Sequence, residues 1–143
     1  MTYRITRYHD ICAGHRVAGH ENKCAHLHGH NYRFYFTVEP DLFLDDIGRT
    51  IDFSVVKERL CQWLEDNWDH RMLIWEGDPM AADIKALDPA TVIVPFNPTA
   101  ENIASHMVRV VAPKQFEDLH VTLSKCVVQE TRKCSAEYEY GDF

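Results

Sequence analysis

The chain has 143 residues, 45% of them hydrophobic and 26% charged, enough for one domain that buries a core without disulfide staples. A formal net charge of -7 argues against a general nucleic-acid binder, and no run approaches the roughly 20 apolar residues needed to span a bilayer. The five cysteines include no Cys-x-x-Cys pair, and the N-terminus lacks the apolar core of a signal peptide, so a reducing cytoplasm is expected.

Residues 2–15, rich in Tyr, Ile and Thr, read as a first strand. A polar loop around residues 19–23 follows, and residues 28–39 read as a second strand. There Tyr32, Phe34, Phe36 and Val38 alternate with Arg33, Tyr35, Thr37 and Glu39, the pattern of a half-buried strand. Phe53, Val56, Leu60, Trp63 and Leu64 then follow helical spacing, with Asp52 or Ser54 available as N-cap. Residues 75–96 carry Gly77, Pro79, Pro89 and Pro95 and read as a long irregular connection with one short helix. A second long helix is expected from Asn97-Pro98-Thr99. Asn97 or Thr99 can cap it, Pro98 suits its first turn, Ala100, Ile103, Met107, Val110 and Val111 form its apolar stripe, and Pro113 stops it. Residues 119–130 and 134–140 form a second strand pair around Thr131-Arg132-Lys133. The order ββααββ predicts an α+β domain, a four-stranded antiparallel sheet with two helices on one face. Its open edges invite pairing with other copies in a closed homo-oligomer.

Six of the nine histidines lie between His9 and His30. In a strand His28 and His30 project from the same side, and a hairpin with the first strand brings His15 near them. Three neutral imidazoles suit zinc with its fourth position open. Cys24 is either a nucleophile or base beside that site or a fourth ligand that closes it into a structural centre; ordinary surface histidines are the remaining alternative. His20 and His26 read as solvent-facing loop residues. Asp69-His70 can orient and polarise a third group, or can simply offset the dipole of the preceding helix. Glu130 can accept two hydrogen bonds from the amino and ring N–H groups of a pterin or guanine edge, or can be a solvated strand end. Arg16, Lys23 and Arg71 form a local basic cluster able to meet a phosphorylated small substrate against the overall negative charge.

Taken in order, Ala13-Gly14-His15-Arg16, Cys24-x3-His28-Gly29-His30-Asn31, Ile51-Asp52-Phe53 with Lys57, Asp69-His70, Asn97-Pro98-Thr99-Ala100-Glu101-Asn102 and Glu130-Thr131 resemble a known family. It is the 6-pyruvoyl-tetrahydropterin synthase superfamily, in particular its bacterial 6-carboxy-5,6,7,8-tetrahydropterin synthase branch of queuosine biosynthesis. The resemblance spans nearly the whole chain. It implies the tunnelling fold, in which trimers close a β-barrel and two trimers stack into a homohexamer. It also implies Zn2+ on His15, His28 and His30, Cys24 as the proton acceptor, and Asp69 and His70 tuning it. Glu130 would anchor a pterin triphosphate substrate, with Thr99 and Glu101 lining the pocket and a neighbouring subunit supplying Asp69-His70. The three residues between Cys24 and His28 favour the carboxy-forming branch, whereas pyruvoyl-forming animal enzymes have a longer gap. Ile11 and Ile74 depart from the pattern, standing where an aromatic and an asparagine are frequent, and the connection from Trp75 to Phe96 is longer than in minimal members.

Overall fold

A computed structural model describes residues 2–141. The alternation in the N-terminal third builds a long antiparallel hairpin. Strand β1 (Ile5–His15) pairs with β2 (His28–Pro40) from Ile5 opposite Val38 to His15 opposite His28. Ile11, Ala13 and His15 of β1 and Tyr32, Phe34, Phe36 and Val38 of β2 are buried on one face. Between the strands, Lys23–Ala25 forms a single 3-10 turn.

Helix α1 runs through Phe53–Val56, a π-helical stretch Lys57–Cys61, and Gln62–Asn67. Asp52 caps it, its carboxylate accepting from the Ser54 amide at 2.8 Å. Val56, Leu60, Cys61 and Leu64 face the sheet, whereas Phe53, expected on that face, is half exposed. Strand β3 (Met72–Trp75), helix α2 (Ala81–Leu87) and strand β4 (Val92–Val94) follow. Helix α3 comprises Ala100–His106, a second π-helical stretch Met107–Val111, and Ala112–Gln115. Strands β5 (Val121–Thr131) and β6 (Cys134–Glu139) form the C-terminal hairpin.

The sheet has six strands in the order β4-β3-β1-β2-β5-β6, not the four antiparallel strands the sequence led us to expect. The additional pair, β3 and β4, joins β1 in parallel. Its strands span four and three residues, and Leu73 and Ile74 are both fully buried. A run so short, buried on both faces, has no alternation to betray it. The connection over 75–96 thus contains a strand as well as the expected helix.

Both long helices cover the same face of the sheet, and their buried side chains merge with those of β1, β2 and β5 in one core. Each large side chain so buried contributes about 1.5–3 kcal/mol. Two expectations for α3 change in detail. The helix starts at Ala100, so Pro98 lies before the cap rather than in the first turn, and Pro113 sits within the helix instead of ending it. The widened π turn just ahead of Pro113 already alters the amide pairing that a proline would otherwise break. Val110 turns to solvent and Val108 is buried in its place. Among the described residues no helix is long and apolar enough to cross a membrane, and all five cysteines are unpaired.

Candidate metal centre and adjoining pocket

The end of the β1–β2 hairpin brings His15, His28 and His30 together on the helix-covered face. Their ligand atoms all lie within 4.8 Å of one another. His15 pairs in register with His28, and His30 follows two residues on, which reproduces the same-side geometry read from the spacing. The ring centroids are 4.5 Å apart for His15 and His28, 5.1 Å for His15 and His30, and 4.9 Å for His28 and His30.

Hydrogen bonding fixes which nitrogen of the His15 and His28 rings is available. His15 Nδ1 donates to the Pro98 carbonyl at 2.7 Å, and His28 Nδ1 donates to the His26 carbonyl at 2.7 Å. An N–H at Nδ1 leaves the lone pair at Nε2, the arrangement of metal-bound imidazoles oriented by a second partner. Among the described residues the Nε2 atoms of His15 and His30 are buried without a hydrogen-bond partner. Buried polar atoms are rarely left so, and two aimed into one cluster fit a metal ion. Burial lowers the His15 pKa to about 4, countered by the Pro98 carbonyl and aided by its histidine neighbours. Burial and His28 lower His30 as well. Both rings are therefore neutral near pH 7, as ligation requires.

Beside the triad opens a pocket of about 300 Å³ whose lining includes His15, His20, Cys24, Thr99, Glu101 and Glu130. The Asn97-Pro98-Thr99-Ala100-Glu101-Asn102 segment organises one wall. Asn97 clamps Ala18, accepting from its amide at 3.1 Å and donating to its carbonyl at 2.9 Å. Pro98 supplies the carbonyl that orients His15, and Thr99 caps α3 by accepting from the Asn102 amide at 3.1 Å. Asn102 then donates back to the Asn97 carbonyl at 2.9 Å. Glu130 comes from a bulge: the β5–β6 register shifts between Gln129 and Thr131, a device that re-aims a side chain. Its carboxylate lies 3.6 Å from His30 Nε2. Burial raises the Glu130 pKa, as does nearby Glu101, while His28 lowers it. Cys24 is part-buried on the 3-10 turn, and its carbonyl accepts from the Val17 amide at 2.8 Å.

Asp69 and His70 lie elsewhere. Their turn acts as a partner for the β1 edge: the Cys12 amide donates to Asp69 Oδ1 at 3.0 Å and the His70 amide donates to the Cys12 carbonyl at 2.6 Å. His70 Nδ1 donates to Asp69 Oδ2 at 2.8 Å, leaving Nε2 outward on a side chain 77% exposed. Burial pulls the Asp69 pKa up, but the Cys12 amide and the His70 ring hold it below the usual carboxylate range. His70 has φ +58°, an uncommon value for a residue with a Cβ. It lies beyond the helix end at Asn67 rather than in the last turn. Within one chain the pair does not line the Cys24 pocket.

Two further residues differ from expectation, and a third carries more than its expected packing role. Arg16, grouped with Lys23 and Arg71 as a phosphate partner, commits its guanidinium to Asp78 at 2.6 Å and to the Ala25 carbonyl at 3.0 Å. An exposed-loop role for His20 is likewise replaced: its Nδ1 accepts from the Asn22 amide at 2.9 Å and the ring lines the pocket. Tyr32 is buried in the core, as the alternation of its strand predicts. Its hydroxyl is buried beside the triad without a partner among the described residues.

Known proteins place this architecture. The chain is 35% identical over 136 residues to a 6-carboxy-5,6,7,8-tetrahydropterin synthase of Rickettsia bellii, covering 94% of this chain and 98% of that one. It is 27% identical over 143 residues to the enzyme of that name from Haemophilus influenzae, covering 96% and 99%. Its fold matches an uncharacterized protein of Wolinella succinogenes with a TM-score of 0.84 at 24% identity over 99% of each chain. It also matches the 6-pyruvoyl tetrahydropterin synthase of Caenorhabditis elegans with a TM-score of 0.65 at 21% identity, over 99% and 97%. The family model for 6-pyruvoyl tetrahydropterin synthase matches residues 4–141, and the chain belongs to that family.

Proposed function

We propose that the chain is a zinc-dependent lyase that converts 7,8-dihydroneopterin triphosphate and water to 6-carboxy-5,6,7,8-tetrahydropterin, acetaldehyde and triphosphate, in the cytoplasm and on the route to queuosine. One observation carries the reading. Two buried, unpartnered Nε2 atoms of a histidine triad open beside a pocket that holds Cys24 and Glu130. The donor set fits zinc, since three neutral nitrogens leave a fourth position open. Cys24 stands outside the cluster of ligand atoms, which supports the open arrangement over the structural one.

Zinc held by His15, His28 and His30 would supply Lewis acidity to the hydroxyls of the substrate side chain. The residues of the chain do the rest. Glu130, as a carboxylate, accepts from the amino and ring N–H groups of the pterin, and Thr99 and Glu101 border that edge. Cys24, as thiolate, removes and returns protons on the side chain. Asp69 holds His70 with Nδ1 protonated, so its Nε2 is the atom that exchanges a proton.

For His70 to meet Cys24, a second copy is required. Among the described residues β1 has no strand partner beyond β2 before Gly14, and the outer edge of β6 is also open. Residues Cys134, Ser135 and Ala136 at the start of β6 form a wall of the pocket. Joining the β1 edge of one copy to the β6 edge of the next would carry its Asp69-His70 toward that wall. Repetition of this contact gives a closed ring, and the homohexamer of two stacked trimers is the assembly we propose.

The test is incubation of the zinc-loaded protein with dihydroneopterin triphosphate, followed by mass analysis. Acetaldehyde with a carboxylated pterin is the expected result. A pyruvoyl side chain would move the protein to the other activity known in the family, and unchanged substrate would defeat the reading.

A further inference from the structure

The long connection between β3 and β4 reaches the loop that carries Cys24 through one part-buried ion pair. Asp78 has a side chain that is 0% exposed and accepts from Arg16 Nε at 2.6 Å. The same guanidinium donates from Nη1 to the carbonyl of Ala25, the residue after Cys24, at 3.0 Å. Asp78 is itself held rigidly. Its other oxygen accepts from the Met80 amide at 2.9 Å, its amide donates to the Trp75 carbonyl at 3.0 Å, and its carbonyl accepts from Ala81 at 2.9 Å. The preceding glycine is part of the same construction: a Cβ on Gly77 would lie 2.5 Å from the Trp75 ring.

Stability alone is a poor reason for such a pair. Burying the Asp78 carboxylate against a part-buried guanidinium costs much of what their attraction returns, and well-packed apolar side chains do as well. What an arginine between a carboxylate and a carbonyl adds is direction, because its planar fork fixes both acceptors at once. The second acceptor is the backbone of the Cys24 turn. We propose that Asp78 is a positioning residue, holding Arg16 so that its guanidinium fixes the Ala25 carbonyl and thereby the aim of the Cys24 thiol into the pocket. The connection between β3 and β4 then serves the site as a strut, touching neither metal nor substrate.

The inference rests on the proposed function only for what Cys24 does in turnover. Its test therefore reads thiol chemistry and turnover separately. In a Cys12→Ser/Cys134→Ser background, Asp78→Asn keeps the volume and removes the charge. Arg16→Lys keeps a cation opposite Asp78 but cannot reach both acceptors. The measurements are the rate of Cys24 alkylation by iodoacetamide, metal content, the unfolding midpoint, and kcat and KM on the pterin triphosphate. We expect Arg16→Lys to fold and to hold metal as the parent does. Its Cys24 alkylation rate should change by about tenfold or more, and kcat should fall by about tenfold or more with little change in KM. Parental alkylation and kcat in a folded Arg16→Lys protein would overturn the proposal. If Asp78→Asn fails to fold, Arg16→Lys decides alone. If the protein with all five cysteines intact does not turn the pterin over, the proposed function falls while the alkylation rates still decide the role of Asp78.

Discussion

The histidine triad, with His15 on β1 and His28 and His30 on β2, and the Asp69-His70 pair, hydrogen-bonded to the edge of β1, differ in nearly every physical respect. His15 is buried, its tautomer set by a backbone carbonyl and its lone pair directed at two other rings. The pair hangs on the strand edge through the Cys12 amide and carbonyl, and His70 offers its ring to solvent. The triad is complete within one chain because every element that orients it, β1, β2 and the start of α3, belongs to the same core. The pair is equally well oriented, yet it does not line the pocket that holds Cys24. His70 lines instead a separate cavity with Cys12, His30 and Arg71, and the divided site proposed above is the reading that this contrast puts to the test.

The largest effect expected from this contrast separates metal binding from chemistry. Cys24→Ala should retain one zinc per chain, since the ligand atoms cluster without the thiol. Turnover should fall by about 10² to 10⁴, the range for loss of a general base. Loss of metal from this variant, by elemental analysis, would make Cys24 a ligand and break the distinction drawn here.

A second effect concerns the buried half alone. His15 has its pKa lowered from 6.5 to about 4 in the folded, metal-free protein. The unfolded chain thus binds a proton below pH 6.5 that the folded chain refuses. The stability this imidazole contributes is full above pH 6.5 and is lost as pH falls toward 4, by about 3 kcal/mol in all. Ring titration by NMR should show His15 neutral down to about pH 4 while the fold persists, and a midpoint near 6.5 would contradict its burial.

The sequence carried the triad because its signal is local: two residues of spacing on one strand and a hairpin to bring up the third. The core of β2 was equally plain, since Tyr32, Phe34, Phe36 and Val38 alternate as they pack. Strand β3 left no such trace, because Leu73 and Ile74 are buried together in a run too short to show a period. Arg16 misled for a different reason. A basic residue beside a histidine motif reads as a phosphate contact, and only the three-dimensional path of residues 75–96 brings Asp78 to it. His20 reads as a solvent-facing loop residue because a loop histidine has no periodic context, although the Asn97 clamp on Ala18 draws that loop over the pocket. Asp69 and His70 were legible as a pair, but their absence from the lining of the Cys24 pocket within one chain follows from the path of β1 rather than from any motif.

The smallest effect is also the most direct probe of that division. Cys24→Ala and His70→Ala are each expected to be inactive as pure proteins, one lacking the thiol in every site and the other lacking the imidazole. If both groups of a site came from one chain, mixing the two proteins would restore nothing. If the β1 edge of one copy meets the β6 edge of the next, random reassembly of equal amounts pairs an intact Cys24 with an intact His70 at about a quarter of the contacts. Turnover should then return to about a quarter of the unmodified level after unfolding and refolding together, and stay at background when the two are refolded apart and then combined. Recovery on co-refolding would make Cys24 and His70 residues of one site contributed by two chains. Its absence, with both variants folded and metal-loaded, would return Asp69-His70 to the role of a turn that finishes the edge of β1.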